Sequence, residues 1–267
     1  MCNDPLNWSK CDRVEGDRVT LKYIVSIYEL FIEYLFVMQV ATAHSFSHLR
    51  PITSHPMKLV AFGDSLIYGF GDNVGGGWVE RLRRQWMLSE SPGHVLYNLG
   101  VRGDRAYQVS QRLENEFRHR GELRNRVPDA MIISVGLNDS ARVQSAIGRN
   151  YTDFDHFKTV VDHLLNLSQQ LCPVIFVGMV PVDESKMPFQ DCLYYSHADQ
   201  YRYKEATRVA CLERGIPYLD IFDKWCDRGS DWWRSRLIAD GLHPNVAGYQ
   251  ALFEDVTSWE PLASISH

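Results

Sequence analysis

No Cys-x-x-Cys pair occurs among the six cysteines of this 267-residue chain, and no Cys/His spacing closes a tetrahedral zinc site. The thiols at 2, 11, 172, 192, 211 and 226 therefore read as free, and Cys172 and Cys211, beside or within apolar patterns, read as small buried hydrophobes. A chain of this length builds a core that needs no covalent staple. An excess of basic charge is also lacking: 28 Lys and Arg stand against 33 Asp and Glu, a net charge of −5. That argues against a nucleic-acid partner or an anionic membrane surface. The arginines between 118 and 126 read as a solvated charged face rather than an anion site. Internal repeats and low-complexity segments are absent, and 45% hydrophobic against 23% charged residues is the balance of a folded globular chain.

Long uninterrupted apolar runs are missing too. The longest apolar stretch, residues 20–43, carries Glu29 and Glu33 four apart, on one helical face, where a membrane span would resist them. Lys22 ahead of the run and Ala41-Thr42-Ala43 at its end lend some support to an export signal, although charges inside such a segment are unusual. The expectation is an amphipathic helix, no stable membrane span and a cytoplasmic protein, with export through residues 20–43 as the alternative. Residues 1–56 read as an N-terminal extension and 57–267 as one domain.

What is present is a steady alternation. Strand-like runs fall near 57–62, 94–99, 130–135, 173–180 and 216–220; helical patterns fall near 76–89, 106–118, 154–170, 197–214 and 246–258, the last with Asn245 placed to cap it. Strand and helix in turn imply a parallel sheet covered by helices on both faces. In such sheets ligands gather beyond the carboxyl ends of the strands, so the residues just after each strand carry the functional information.

Four turns stand out. Gly63-Asp64-Ser65-Leu66 follows the first strand and offers a serine that is either a nucleophile or a helix N-cap; alone, the cap is favoured. Asn98-Leu99-Gly100 ends the second strand, where a glycine lets a backbone N–H approach a ligand or simply makes a turn. Gly136-Leu137-Asn138-Asp139 follows the third and brings a neutral amide donor. Asp240-Gly241-Leu242-His243-Pro244 precedes the last helix; Asp240 can accept from Nδ1–H of His243 and leave Nε2 free as a base, while Pro244 keeps His243 out of helical geometry. Asp64, Asp139 and Asn98 read as turn-holding residues.

Together, in this order, the four blocks resemble the GDSL or SGNH family of serine esterases and lipases, over roughly residues 57–259. The resemblance implies a flavodoxin-like three-layer α/β/α sandwich with a five-stranded parallel sheet. It implies Ser65 as nucleophile, His243 as general base and acid and Asp240 as the group orienting it, with the Ser65 N–H, the Gly100 N–H and the Asn138 side chain as oxyanion hole. No metal or organic cofactor is called for. Ile67 stands where the Gly-x-Ser-x-Gly elbow of α/β-hydrolases has its second glycine, which disfavours that fold.

The expected reaction is hydrolysis of a small-molecule carboxylic ester through an acyl-enzyme, with thioesterase and lysophospholipase activity as variants. Carbohydrate O-acetyl esterase or acyltransferase chemistry is the alternative, and a catalytically silent binding domain the third. Tyr68 and Phe70, after the nucleophile, and Trp232 and Trp233, ahead of the Asp-His loop, are candidate walls for an apolar substrate group; filling between loop and sheet is an equal reading.

Overall fold

The five runs expected to be strands pair in parallel in a computed structural model that describes residues 56–88, 93–120 and 127–266. The apolar stretch at 20–43, the arginines at 124 and 126, and all of the extension but Pro56 lie outside the described residues. In chain order the strands are β1 (Lys58–Gly63), β2 (Val95–Gly100), β3 (Ala130–Ser134), β4 (Arg142–Val143), β5 (Val174–Val177), β6 (Leu193–Tyr194) and β7 (Tyr218–Leu219). The helices are α1 (Ser65–Tyr68), α2 (Gly77–Leu88), α3 (Ala106–His119), α4 (Leu137–Ser140), α5 (Phe154–Leu171), α6 (His197–Glu213), α7 (Ile221–Asp227), α8 (Ser230–Arg234), α9 (Val246–Thr257) and α10 (Glu260–Ser266). Among the described residues no helix is long and apolar enough to cross a membrane.

β1 and β3 are buried along their whole length, as continuous apolar runs in mid-sheet must be, whereas β2 at the edge is only partly buried. The order across the sheet is β2-β1-β3-β5-β7, which is 2-1-3-4-5 when only these five strands are numbered. Winding therefore reverses between β1 and β3, and the reversal opens a crevice at their carboxyl ends. Ser65 and Asn138 follow those two ends directly.

Alternate side chains serve two cores. Leu59, Ala61, Ile132, Ile175 and Val177 meet Trp78 and Leu82 of α2 and Tyr249, Leu252 and Val256 of α9. Val60, Phe62, Met131, Ile133 and Phe176 meet Leu113 and Phe117 of α3 and Phe157, Val161 and Leu164 of α5. Each Val, Leu, Ile, Phe or Met among them, fully buried, contributes about 1.5–3 kcal/mol. The result is the three-layer α/β/α sandwich that the four blocks imply.

Helix limits fall within two residues of expectation, and Asn245 caps α9 by accepting from Gly248 N–H at 2.9 Å. The strand expected over 173–180 stops at Val177. Met179, Val180 and Val182 are buried as a loop instead, and Gln200 serves the backbone of the last two, accepting from Val182 N–H at 3.1 Å and donating to Val180 C=O at 2.9 Å. Apolar content there marked burial without pairing. The short elements α1, α4, α7, α8, α10 and the antiparallel β4–β6 pair carry too few residues for a periodic signal. Cys172 and Cys211 are buried, and burial pushes the Cys172 thiol up to about 12 and that of Cys211 upward as well, which suits inert core thiols.

Candidate active site

β1 hands the chain to the single turn α1, and the residue that caps that turn decides what Ser65 is free to do. The cap is Asp64, whose Oδ1 accepts from Leu66 N–H at 2.9 Å. Ser65 is thus released from capping, and its Oγ lies 2.9 Å from His243 Nε2. The Tyr249 hydroxyl reaches Ser65 C=O at 3.2 Å and Phe70 C=O at 3.1 Å, tying the turn to α9.

The loop before α9 folds around its own carboxylate. Asp240 Oδ1 accepts from the N–H groups of Leu242 at 2.8 Å and His243 at 3.0 Å, and Oδ2 meets His243 Nδ1 at 2.7 Å. Burial works against the charge, but the bonds from the His243 side chain and the two backbone amides outweigh it and hold the Asp240 carboxyl below the usual range. An ionised carboxylate only accepts, so Nδ1 carries the proton and Nε2 is left to accept from the Ser65 hydroxyl. The imidazole is buried between two aromatic edges, Phe70 at 4.7 Å and Phe189 at 5.8 Å between ring centres.

Asn138 reaches the crevice from α4, 8% exposed. Its Nδ2 donates to Asp104 C=O at 2.9 Å and makes a long contact of 3.4 Å with Asp64 Oδ2, while its Oδ1 accepts from the Tyr195 hydroxyl at 3.2 Å. Gly100 does not offer the N–H expected of it. That N–H donates to Asn98 Oδ1 at 3.0 Å, and a Cβ at this position would lie 2.2 Å from Tyr68 N, so the glycine exists to let β2 pack against α1.

The missed candidate is Gly103. It occupies the third position of the turn Val101–Asp104, closed by Asp104 N–H to Val101 C=O at 3.1 Å, and its φ of +82° is open to glycine at little cost. Neither its N–H nor that of Ser65 donates to another group among the described residues. A glycine three residues past a strand end, followed by Asp, was the available signal.

Of the aromatic candidates, Phe70 abuts the base and Tyr68 stands half-exposed at the end of α1. Trp232 and Trp233 do not form the expected wall. Trp233 is buried against His197, and Trp232 lies edge-on to Trp225 with the Arg228 and Arg236 guanidiniums on its ring. Each ring is taken up by a neighbouring helix, Trp232 by α7 through Trp225 and Trp233 by α6 through His197. The wall beside His243 comes instead from Phe189, on the segment between β5 and β6. Asp139 and Asn98 bind backbone, at Ala106 N–H (3.0 Å) and Ile67 C=O (2.8 Å). Among the described residues, one acidic cluster has metal-like spacing, Glu205, Asp220 and Asp223, and the buried Lys204 ammonium bridges all three at 3.1, 2.6 and 2.5 Å.

Residues 61–251 match the model of the GDSL-like Lipase/Acylhydrolase family. No curated protein matches the chain in sequence. Among solved structures, a lipase/acylhydrolase from Enterococcus faecalis is 21% identical, with a TM-score of 0.59 over 75% of this chain and 93% of that one. Axe2, an acetylxylan esterase from Geobacillus stearothermophilus, is 16% identical, with a TM-score of 0.59 over 78% and 98%. LAE5, an α/β hydrolase enzyme from the metagenome of Lake Arreo, Spain, is 17% identical, with a TM-score of 0.57 over 77% and 95%. At these identities the likeness establishes the fold.

Proposed function

Because the chain belongs to the GDSL-like lipase/acylhydrolase family, we propose that it hydrolyses carboxylic esters through an acyl-enzyme on Ser65. The observation that carries this is the unbroken line from Asp240 Oδ2 through the His243 ring to Ser65 Oγ, 2.7 Å and 2.9 Å. His243 Nε2 takes the Ser65 proton as Oγ bonds to the ester carbonyl carbon. The tetrahedral intermediate collapses by breaking the bond to the alcohol, which leaves with the proton from Nε2. Water, deprotonated by the same nitrogen, then attacks the acyl-enzyme, and Ser65 departs with the proton.

The oxyanion would sit on the N–H groups of Ser65 and Gly103 and on the Asn138 hydrogen now spent on the long contact with Asp64. Gly103 takes the part expected of Gly100. Its neighbours support this, since Asp104 C=O is bonded to Asn138 and Arg102 lies on the ring that abuts His243. Deacetylation of carbohydrate uses the same machinery, and the likeness to an acetylxylan esterase keeps it as the second reading.

Turnover of 4-nitrophenyl acyl esters of graded length, beside acetate release from acetylated sugars, ranks the two. Ser65→Ala should end both turnover and labelling by an organophosphonate. Labelling at another residue, or turnover that survives the substitution, would refute the mechanism.

A further inference from the structure

We propose that the ester this site takes carries an anionic group, a carboxylate or phosphate, bound by Arg102; the proposal rests on the esterase reading above. Arg102 is the second residue of the Val101–Asp104 turn, exposed, with its guanidinium carbon 3.6 Å above the centre of the Phe70 ring. That ring lies 4.7 Å from the imidazole of His243, so the two separations cap the distance from guanidinium to imidazole at about 8 Å. Stacking occupies only the face of the guanidinium and leaves its five N–H donors in the plane, where a carboxylate or phosphate meets them in pairs.

The acids nearest in the chain and in the site are committed elsewhere. Asp104 Oδ2 accepts from Arg112 Nε at 2.8 Å, and Asp240 is bound to His243. No carboxylate among the described residues pairs with Arg102. Arg105 stands in the same loop with its guanidinium 4.2 Å over the Tyr151 ring, a second positive charge of like sign. A cation held by a turn and a ring, unneutralised and beside the catalytic base, selects for negative charge roughly three to five bonds from the scissile carbonyl.

Two matched pairs test this: 4-nitrophenyl butyrate against mono-4-nitrophenyl glutarate, which puts the charge on the acyl side, and methyl 3-acetoxybenzoate against 3-acetoxybenzoate, which puts it on the alcohol side. The measurement is the ratio of kcat/KM, anionic over neutral, within each pair, so that the neutral ester corrects for any general loss in a variant. In one pair Arg102→Gln should lower the ratio by about 10-fold or more, the loss expected for a charge-assisted hydrogen bond. Arg102→Glu should lower it further, Arg102→Lys should recover part of it, and added salt should erode it in the unsubstituted protein. Ratios unmoved by Gln and Glu in both pairs, with Ser65-dependent turnover intact, would overturn the proposal and leave the esterase reading standing. No Ser65-dependent turnover of any of the four esters would overturn that reading and the proposal with it.

Discussion

Asp240→Asn changes one oxygen of a half-buried carboxylate into a donor and keeps its shape. Asp240 uses two oxygens for three N–H donors, at 2.7, 2.8 and 3.0 Å. An amide has one oxygen to offer. If that oxygen stays on the Leu242 and His243 N–H groups, the NH2 faces Nδ1, which must then accept; the ring proton moves to Nε2 and points at Ser65 Oγ, so the base is lost. If the amide turns over, its NH2 confronts two backbone donors, and leaving such groups unsatisfied costs about 1–3 kcal/mol each. The first arrangement is therefore the stable one. The expected loss in kcat is about 10⁴-fold, as for an aspartate-to-asparagine change in another Ser-His-Asp triad, or about 5.5 kcal/mol at 1.36 kcal/mol per tenfold. KM should change little, since the substrate does not bond to Asp240 in the ground state. Steady-state release of 4-nitrophenol measures the loss, and the rate of organophosphonate labelling at Ser65 should fall in parallel. A kcat reduced by less than about 10-fold would show that the tautomer is not what Asp240 controls.

Asn138→Ala should lower kcat by about 10²- to 10³-fold with KM nearly constant, the cost of one oxyanion donor; a raised KM at constant kcat would refute that role. The structure adds a second effect, a lower melting temperature, because Asp104 C=O and the Tyr195 hydroxyl each lose a buried partner, about 1–3 kcal/mol apiece. Burial, with the charges of Asp139 and Asp104 nearby, pushes the Asp64 carboxyl up to about 7. The folded state then holds a proton that the unfolded chain releases near pH 4. This contribution is complete below that pH and is lost as the pH rises through about 7, so Asp64→Asn should gain on the unsubstituted protein in thermal melts from pH 4 to 8, by a few kcal/mol at the upper end. A constant difference across that range would refute the shift. A chain beginning at Met57 should fold and hydrolyse ester, because β1 starts at Lys58 and, among the described residues, the members of both cores all follow it or adjoin it; an inactive or insoluble product beside an active full chain would place the preceding residues inside the domain.

Ser65, Asp240 and His243 were legible because each lies within a few residues of an element whose end is marked by Gly, Pro or a cap, and the parallel sheet then brings such ends to one crevice. Gly100 and Gly103 show where that logic fails. Both follow the apolar run of the second strand, and the distinction depends on where pairing stops, which sequence gives only to about two residues. In the structure Gly100 is still in register with Gly63 of β1, inside the ladder, while Gly103 is past it and turned out. A ladder one residue longer than the run expected over 94–99 is enough to make Gly100 a packing glycine. Phe189 and Tyr195 were beyond reach for a different reason. They enter the site only because β6 pairs with β4, through Leu193 with Val143 and Tyr194 with Arg142, and a two-residue ladder between distant segments leaves no periodic trace. For Trp232 and Trp233 the sequence left wall and filling as equal readings; with Phe189 beside His243, the two rings of α8 pack against Trp225 and His197, which is the filling reading.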